Sequence, residues 1–104
     1  MDYLSNDSTY IGTRLKYVLE IAAQGFSMEK DRFCVDICRG PNTLHFDKLD
    51  LEFDDDGNYY VCFDSLALGT GKVYAVVTAY VPDTDYPDGF RKEVQKIDLL
   101  QIKA

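Results

Sequence analysis

The run at residues 73–81 constrains the fold more than any other part of the chain. Its sequence, VYAVVTAYV, consists of β-branched, aromatic and small apolar residues with one threonine. Val, Tyr and Thr are enriched in strands. Both alternating faces of the run are apolar, which is typical of a strand that is covered on two sides. We therefore predict a central strand here and a fold built around a sheet.

Shorter segments with a period of two surround this run. Apolar and polar side chains alternate in them as they do in half-buried strands, and the segments are residues 14–23, 32–39, 49–54 and 59–63. Residues 90–97 and 98–102 are predicted to form one bent strand or two short strands. Clusters of Gly, Pro, Asn and Asp separate them and favour turns. Strands at this spacing predict an all-β fold, an antiparallel β-sandwich that is immunoglobulin-like and has about seven strands.

The N-terminal part of the chain leaves one alternative open. Residues 14–23 also match helical spacing, but no capping box precedes them and Gly25 follows directly, which favours a strand. The polar, turn-rich residues 1–12 are expected to form a flexible arm. Residues 13–104 then form one β-sandwich domain, since 104 residues leave little room for a second one.

The alternation also predicts which side chains form the core. We expect the inward positions of the strands to be buried, and these are Leu15, Tyr17, Leu19, Ile21, Phe33, Val35, Ile37, Leu49, Leu51, Val61, Phe63, Val73, Ala75, Val77, Ala79 and Leu99.

Charge excludes the commonest nucleic-acid-binding classes. The chain has 18 acidic and 11 basic residues and a formal charge of -7, whereas phosphate binding needs concentrated Lys and Arg. No apolar stretch approaches the roughly 18 residues of a spanning helix, and the start of the chain has no signal-peptide pattern. We expect synthesis in the cytoplasm and no membrane or nucleic-acid partner.

The three cysteines are expected to be free thiols. Their odd number argues against a complete disulfide framework. Cys34 and Cys38 lie on one face of a predicted strand, roughly 13 Å apart, too far for a bridge. With His45, the only histidine, the thiols could supply zinc ligands or a nucleophile. The short ligand spacing of structural zinc sites is missing, so we predict no cofactor. A single histidine without a placed partner, and no thiol marked as activated, predict no enzyme activity and no catalytic residue.

Two further patterns are explained better as turns than as ligand sites. Gly69-Thr70-Gly71-Lys72 resembles the end of a phosphate-binding loop, but the full motif needs a Gly at position 66 and a Ser or Thr at position 73. These positions hold Leu66 and Val73. Glu52, Asp54, Asp56 and Gly57 match the start of a calcium-loop spacing, yet the twelfth position counted from Glu52 is Phe63, where a Glu is required.

The loop at residues 82–89 is the strongest candidate for a binding surface. It carries Asp83, Asp85, Tyr86 and Asp88 together with Pro82 and Pro87, and loops on a rigid scaffold often hold binding residues. Oxygen ligands of this kind suit calcium, although the prolines and Gly89 explain a turn without an ion. Tyr59 and Tyr60 are added as candidate contact residues, because tyrosine is favoured at interfaces.

The C-terminal half resembles a known group of proteins. The acidic turn DDGN at 55–58, the segment LALGTG at 66–71 and the segment VPDTDYPDGFRKEV at 81–94 carry the resemblance. They are similar to small β-sandwich proteins of phage and prophage structural clusters in gut Bacteroidetes. They also resemble, more faintly, the immunoglobulin-like N-terminal modules of phage baseplate and tail-fibre proteins.

The resemblance covers about residues 13–103 and implies an assembly part without catalytic residues. We therefore predict a non-enzymatic structural or interaction module, a component of a phage or prophage particle that associates with itself or with protein partners. The alternative function is a carbohydrate- or calcium-binding β-sandwich module.

Overall fold

The computed structural model describes residues 8–104, which form eight strands in two packed sheets. The strands are β1 (Ser8–Tyr10), β2 (Arg14–Leu19), β3 (Phe33–Arg39), β4 (Asn42–Asp47), β5 (Glu52–Phe53), β6 (Tyr59–Asp64), β7 (Gly71–Pro82) and β8 (Phe90–Lys103). One sheet has the order β1-β8-β7-β3-β4 and the other β2-β6-β5. All pairs are antiparallel except β1 with β8. The predicted all-β sandwich is confirmed.

The predicted central strand is β7, the middle strand of the five-stranded sheet. Its inward residues from Val73 to Val81 are all at most 5% exposed. The outward residues are half-buried, and basic side chains cover part of this face. Lys96 Nζ lies 4.4 Å from the ring centre of Tyr74, and Arg32 stacks on Tyr80 at 4.6 Å. The run is therefore central, but only one face is covered by the second sheet.

The core lies between the two sheets. Phe33, Val35 and Ile37 of β3 face Val61 and Phe63 of β6, and all five are buried. Burying a side chain of this size stabilises a fold by about 1.5–3 kcal/mol relative to leaving it exposed. These positions were predicted by the alternation alone. The structure adds buried side chains that the sequence did not indicate, namely Cys34, Cys38, Leu68, Val81, Leu100 and Ile102.

The N-terminal part differs from its prediction in one respect. Ser8–Tyr10 is strand β1, paired in parallel with Gln101–Lys103 of β8, and is not part of a loose arm. Residues 1–7 of the predicted arm lie outside the described residues. The strand interpretation of residues 14–23 is confirmed, since Arg14–Leu19 pairs with β6 along its length, although the strand ends four residues earlier than predicted.

The region around β4 corrects two predictions. Asn42–Asp47 is a strand that the sequence analysis missed, joined to β3 by a tight turn at Gly40 and Pro41. The predicted strand at residues 49–54 is reduced to Glu52–Phe53, because residues 48–50 form a 3-10 turn. That turn directs Leu49 outwards, so this predicted core residue is 96% exposed.

Both turn interpretations agree with the structure. Residues 54–58 close the β5–β6 hairpin, in which Asp54 Oδ1 accepts the N–H groups of Asp56 (3.0 Å) and Asn58 (2.9 Å). Gly71, with a φ of +132°, begins β7 against the Arg39 side chain. A Cβ at Gly71 would lie 2.8 Å from Arg39 Cδ. The glycine segment is therefore a close-packed connection between the two sheets.

Candidate functional site

The loop between β7 and β8 is built by its own aspartates. The N–H of Asp83 donates to the carbonyl of Gly89 at 2.8 Å and closes the loop at its base. Asp83 Oδ1 accepts the N–H of Asp85 at 3.0 Å, and Asp88 Oδ1 accepts the N–H of Phe90 at 3.2 Å. Gly89 has a φ of +84°, which an L side chain rarely adopts. Two of the three predicted aspartates are thus used to shape the loop.

Arg91 fixes this loop to the rest of the domain. Its Nη1 donates to Asp83 Oδ2 at 3.0 Å, its Nε donates to Glu93 at 3.0 Å, and its Nη2 donates to the Gln24 carbonyl at 3.2 Å. The backbone N–H of Asp85, and then Arg91, lower the pKa of Asp83. Sequence reasoning missed Arg91, because only the folded chain brings Gln24 and Asp83 beside it.

The remaining loop side chains form an exposed apolar surface next to β8. Tyr86 is 47% exposed and Phe90 42%, and together with Pro87 and Lys92 they line a shallow depression. Phe90 packs edge-on against Tyr80, with ring centres 6.5 Å apart. Such a surface offers contact area to a protein partner and little enclosure for a small molecule.

The structure separates the two predicted tyrosines from the loop. Tyr59 and Tyr60 belong to β6 in the three-stranded sheet. Tyr59 packs edge-on against Phe33 (5.4 Å) and Phe53 (4.8 Å), so it is a packing residue. Tyr60 lies under Lys16, whose Nζ is 4.0 Å from the ring centre. The six predicted binding residues therefore form no single site.

The first half of β8 has one edge without a neighbouring strand in the described part of the chain, as do the outer strands β4 and β2. β7 pairs with β8 from Phe90 to Ile102, but β1 covers the other edge only at Gln101–Lys103. Within residues 8–104, nothing pairs with that edge of β8 between residues 90 and 100. Side chains on both faces are also exposed here, including Val94 (63%) and Ile97 (38%). Unpaired strand edges of this kind are templates for pairing with another chain.

The cysteines and His45 lie on three strands, of which β3 and β4 are neighbours. Cys34 and Cys38 are buried in β3 and Cys62 is exposed in β6, and all three are free thiols, as predicted. His45 lies on β4, where Asp36 and then Asp47 raise its pKa by hydrogen bonding. Its ring contacts the carboxylates of those two residues.

Comparisons of the chain with protein-family models, with curated proteins and with solved structures found no match. No helix within residues 8–104 is long and apolar enough to cross a membrane. Function is therefore argued from the residues and their geometry.

Proposed function

We propose that this chain is a non-enzymatic structural module that assembles with a second copy of itself through the free edge of β8. The observation that carries the proposal is the edge from residue 90 to residue 100, which has no neighbouring strand among residues 8–104. A component of a phage or prophage particle, such as a tail or baseplate part, is the setting that we propose from the sequence resemblance alone.

The charges along β8 favour one register for this pairing. A two-fold axis perpendicular to the sheet places the same face of both copies on the same side of the combined sheet. Odd-numbered residues of β8 then pair with odd-numbered residues of the partner, and even-numbered residues with even-numbered ones. When the axis passes through Gln95, Lys92 of each copy lies opposite Asp98 of the other copy, which gives two pairs of opposite charge. An axis through Val94 would instead pair Lys92 with Lys96, and like charges directly opposite each other are destabilising.

The extent of β8 also fits this register. With the axis at Gln95, the partner's Arg91 lies opposite Leu99. The paired stretch therefore ends before Gln101–Lys103, where β1 occupies the edge. Two copies would then form one continuous ten-stranded sheet, since each contributes five strands. This arrangement would pair residues 91–99 of the free edge and leave Gln101–Lys103 to β1.

Light scattering over a concentration series, on the wild type and on charge variants, tests the proposal. The wild type should form a dimer with rising concentration. Lys92→Glu and Asp98→Lys should each weaken it by at least about 2- to 30-fold, since two exposed pairs at about 0.2–1 kcal/mol each are lost and like charges then lie opposite each other. The double variant K92E/D98K restores opposite charges and should restore the dimer.

Lys72→Glu is the matched control, because Lys72 is an exposed lysine on β7 away from the free edge. It should leave the dimer unchanged. A monomer at every concentration contradicts the proposal. A dimer that is indifferent to Lys92 and Asp98 contradicts the Gln95 register and moves the interface elsewhere.

A further inference from the structure

A cluster of metal-ligating side chains lies on the outer face of the five-stranded sheet, away from the β8 edge. The ligand atoms of Cys34, His45 and Asp47 all lie within 4.8 Å of one another. Cross-strand register produces this cluster, since Cys34 lies opposite Asp47 and Asp36 lies opposite His45. Three different ligand types are thus brought together by the pairing of β3 with β4.

Asp36 orients the imidazole of His45. His45 Nδ1 lies 2.5 Å from Asp36 Oδ1, which leaves Nε2 facing Asp47 at 3.3 Å. A histidine that binds a metal almost always donates its second ring N–H to a carboxylate or carbonyl, which fixes the tautomer and the ring direction. Asp36 stands in that position relative to His45.

We propose that Cys34 Sγ, His45 Nε2 and the Asp47 carboxylate bind one Zn²⁺ ion, with Asp36 holding the imidazole and a fourth position open to solvent. Zinc takes thiolate, imidazole and carboxylate ligands at about 2.0–2.3 Å in a tetrahedral arrangement. The ligand atoms must therefore move closer together. His45 and Asp47 are 53% and 54% exposed at their side chains, so little packing opposes such an adjustment, in which Asp47 would exchange its contact with His45 Nε2 for the ion.

The ligand set selects the class of ion. A thiolate and an imidazole suit zinc and its chemical neighbours, whereas calcium and magnesium take oxygen ligands. Burial raises the pKa of the Cys34 thiol, while the Thr78 side chain lowers it by hydrogen bonding to the sulfur. A dication beside the sulfur replaces the thiol proton, so Cys34 would bind as the thiolate.

The ion would join the edge strand β4 to β3. Only β3 pairs with β4 among residues 8–104, and a ligand that binds only the folded state stabilises it by mass action. Zinc would therefore raise the unfolding temperature as well as bind.

Anaerobic titration of the tag-free, reduced protein with Co²⁺ tests the site, because a cobalt–thiolate bond gives a near-ultraviolet charge-transfer band. The wild type should show this band at one equivalent, and excess Zn²⁺ should abolish it. Cys62→Ser is the matched control, since Cys62 is an exposed thiol in the other sheet, and it should behave as the wild type. Cys34→Ser should lose the band.

Two variants of exposed or half-buried residues keep the test decisive if Cys34→Ser fails to fold. His45→Gln should keep its circular dichroism spectrum and lose tight one-equivalent binding. Asp36→Asn should retain the thiolate band but bind about 10–100-fold more weakly, as expected for a residue that positions a ligand. No band in the wild type, a band that disappears with Cys62→Ser, or unchanged binding in folded His45→Gln would overturn the proposal.

Discussion

The two halves of β8 belong to one strand, Phe90–Lys103, but have opposite surroundings. In the second half, β7 and β1 pair with both edges, and Leu100 and Ile102 are 8% and 1% exposed. In the first half one edge is free among the described residues, and Ile97 remains 38% exposed although it shares the inward face with buried Ala75. A three-stranded sheet covers only part of a five-stranded one, so position within the sheet decides burial.

Substituting one isoleucine in each half should reveal this difference most strongly. Ile102→Ala should lower the free energy of unfolding by about 2–5 kcal/mol, the range for a buried isoleucine. Ile97→Ala should lower it far less, because much of its side chain already contacts water. Urea denaturation of both variants measures the difference. Equal losses would show that the first half of β8 is covered as well as the second.

Ser65→Ala should cause the next largest loss in the free energy of unfolding, because Ser65 holds the turn between β1 and β2 by hydrogen bonds. Ser65 is fully buried, its Oγ accepts the Gly12 N–H at 2.8 Å, and its own N–H donates to the Thr13 carbonyl. Removing the hydroxyl leaves a donor without a partner, at about 1–3 kcal/mol.

Hydrogen exchange in Ser65→Ala also compares the two halves of β8. Amide hydrogen exchange should become faster at Gln101–Lys103, the β8 residues that β1 pairs with, and should stay unchanged in the first half of β8. Ser8→Ala is the control, as it lies in β1 without a hydroxyl contact to that turn among the described hydrogen bonds. Faster exchange in both halves would contradict a local role for Ser65.

Replacing Asp83 should cause the smallest change in the free energy of unfolding, and that change should depend on pH. The folded-state pKa of Asp83 is lowered by the Asp85 N–H and then by Arg91. A carboxyl group whose pKa is lower in the folded state stabilises that state above its unfolded pKa, and this contribution disappears as the pH falls through the folded value. Asp83→Asn should therefore be slightly less stable than the wild type at neutral pH.

The stability difference between Asp83→Asn and the wild type should shrink as the pH falls below about 4, the ordinary range for an aspartate. Thermal unfolding of both proteins from pH 7 downwards measures it. Asp85→Asn is the matched control, since its side chain makes no described contact with Arg91. A difference that is constant with pH would show that the Asp83 charge is not involved.

The parts of the fold that the sequence predicted are those in which local pattern agrees with burial. β3 and β7 alternate strongly, and their inward residues are buried as expected. β4 was missed because its outward side chains, Thr43, His45 and Asp47, are polar and its inward face carries only Leu44 and Phe46. Leu49 was placed in the core wrongly, because a 3-10 turn that the alternation does not encode rotates it outwards.

The candidate sites depend on pairings that no local pattern contains. The free edge of β8 follows from the strand order, which brings β1 from the other end of the chain to cover only three residues. The Cys34–His45–Asp47 cluster follows from the register between β3 and the unpredicted strand β4. Sequence reasoning considered His45 with the three cysteines as possible zinc ligands, but it could not select Cys34 among them or place Asp47 beside it.

Hydrogen exchange of the wild type at low and high protein concentration tests the central claim most directly. At low concentration the amides of residues 90–98 that point to the free edge should exchange quickly, while those of residues 100–103 stay protected. At high concentration the first half should become protected as copies pair. Slow exchange in both halves at low concentration, or fast exchange in the first half at every concentration, would contradict the account.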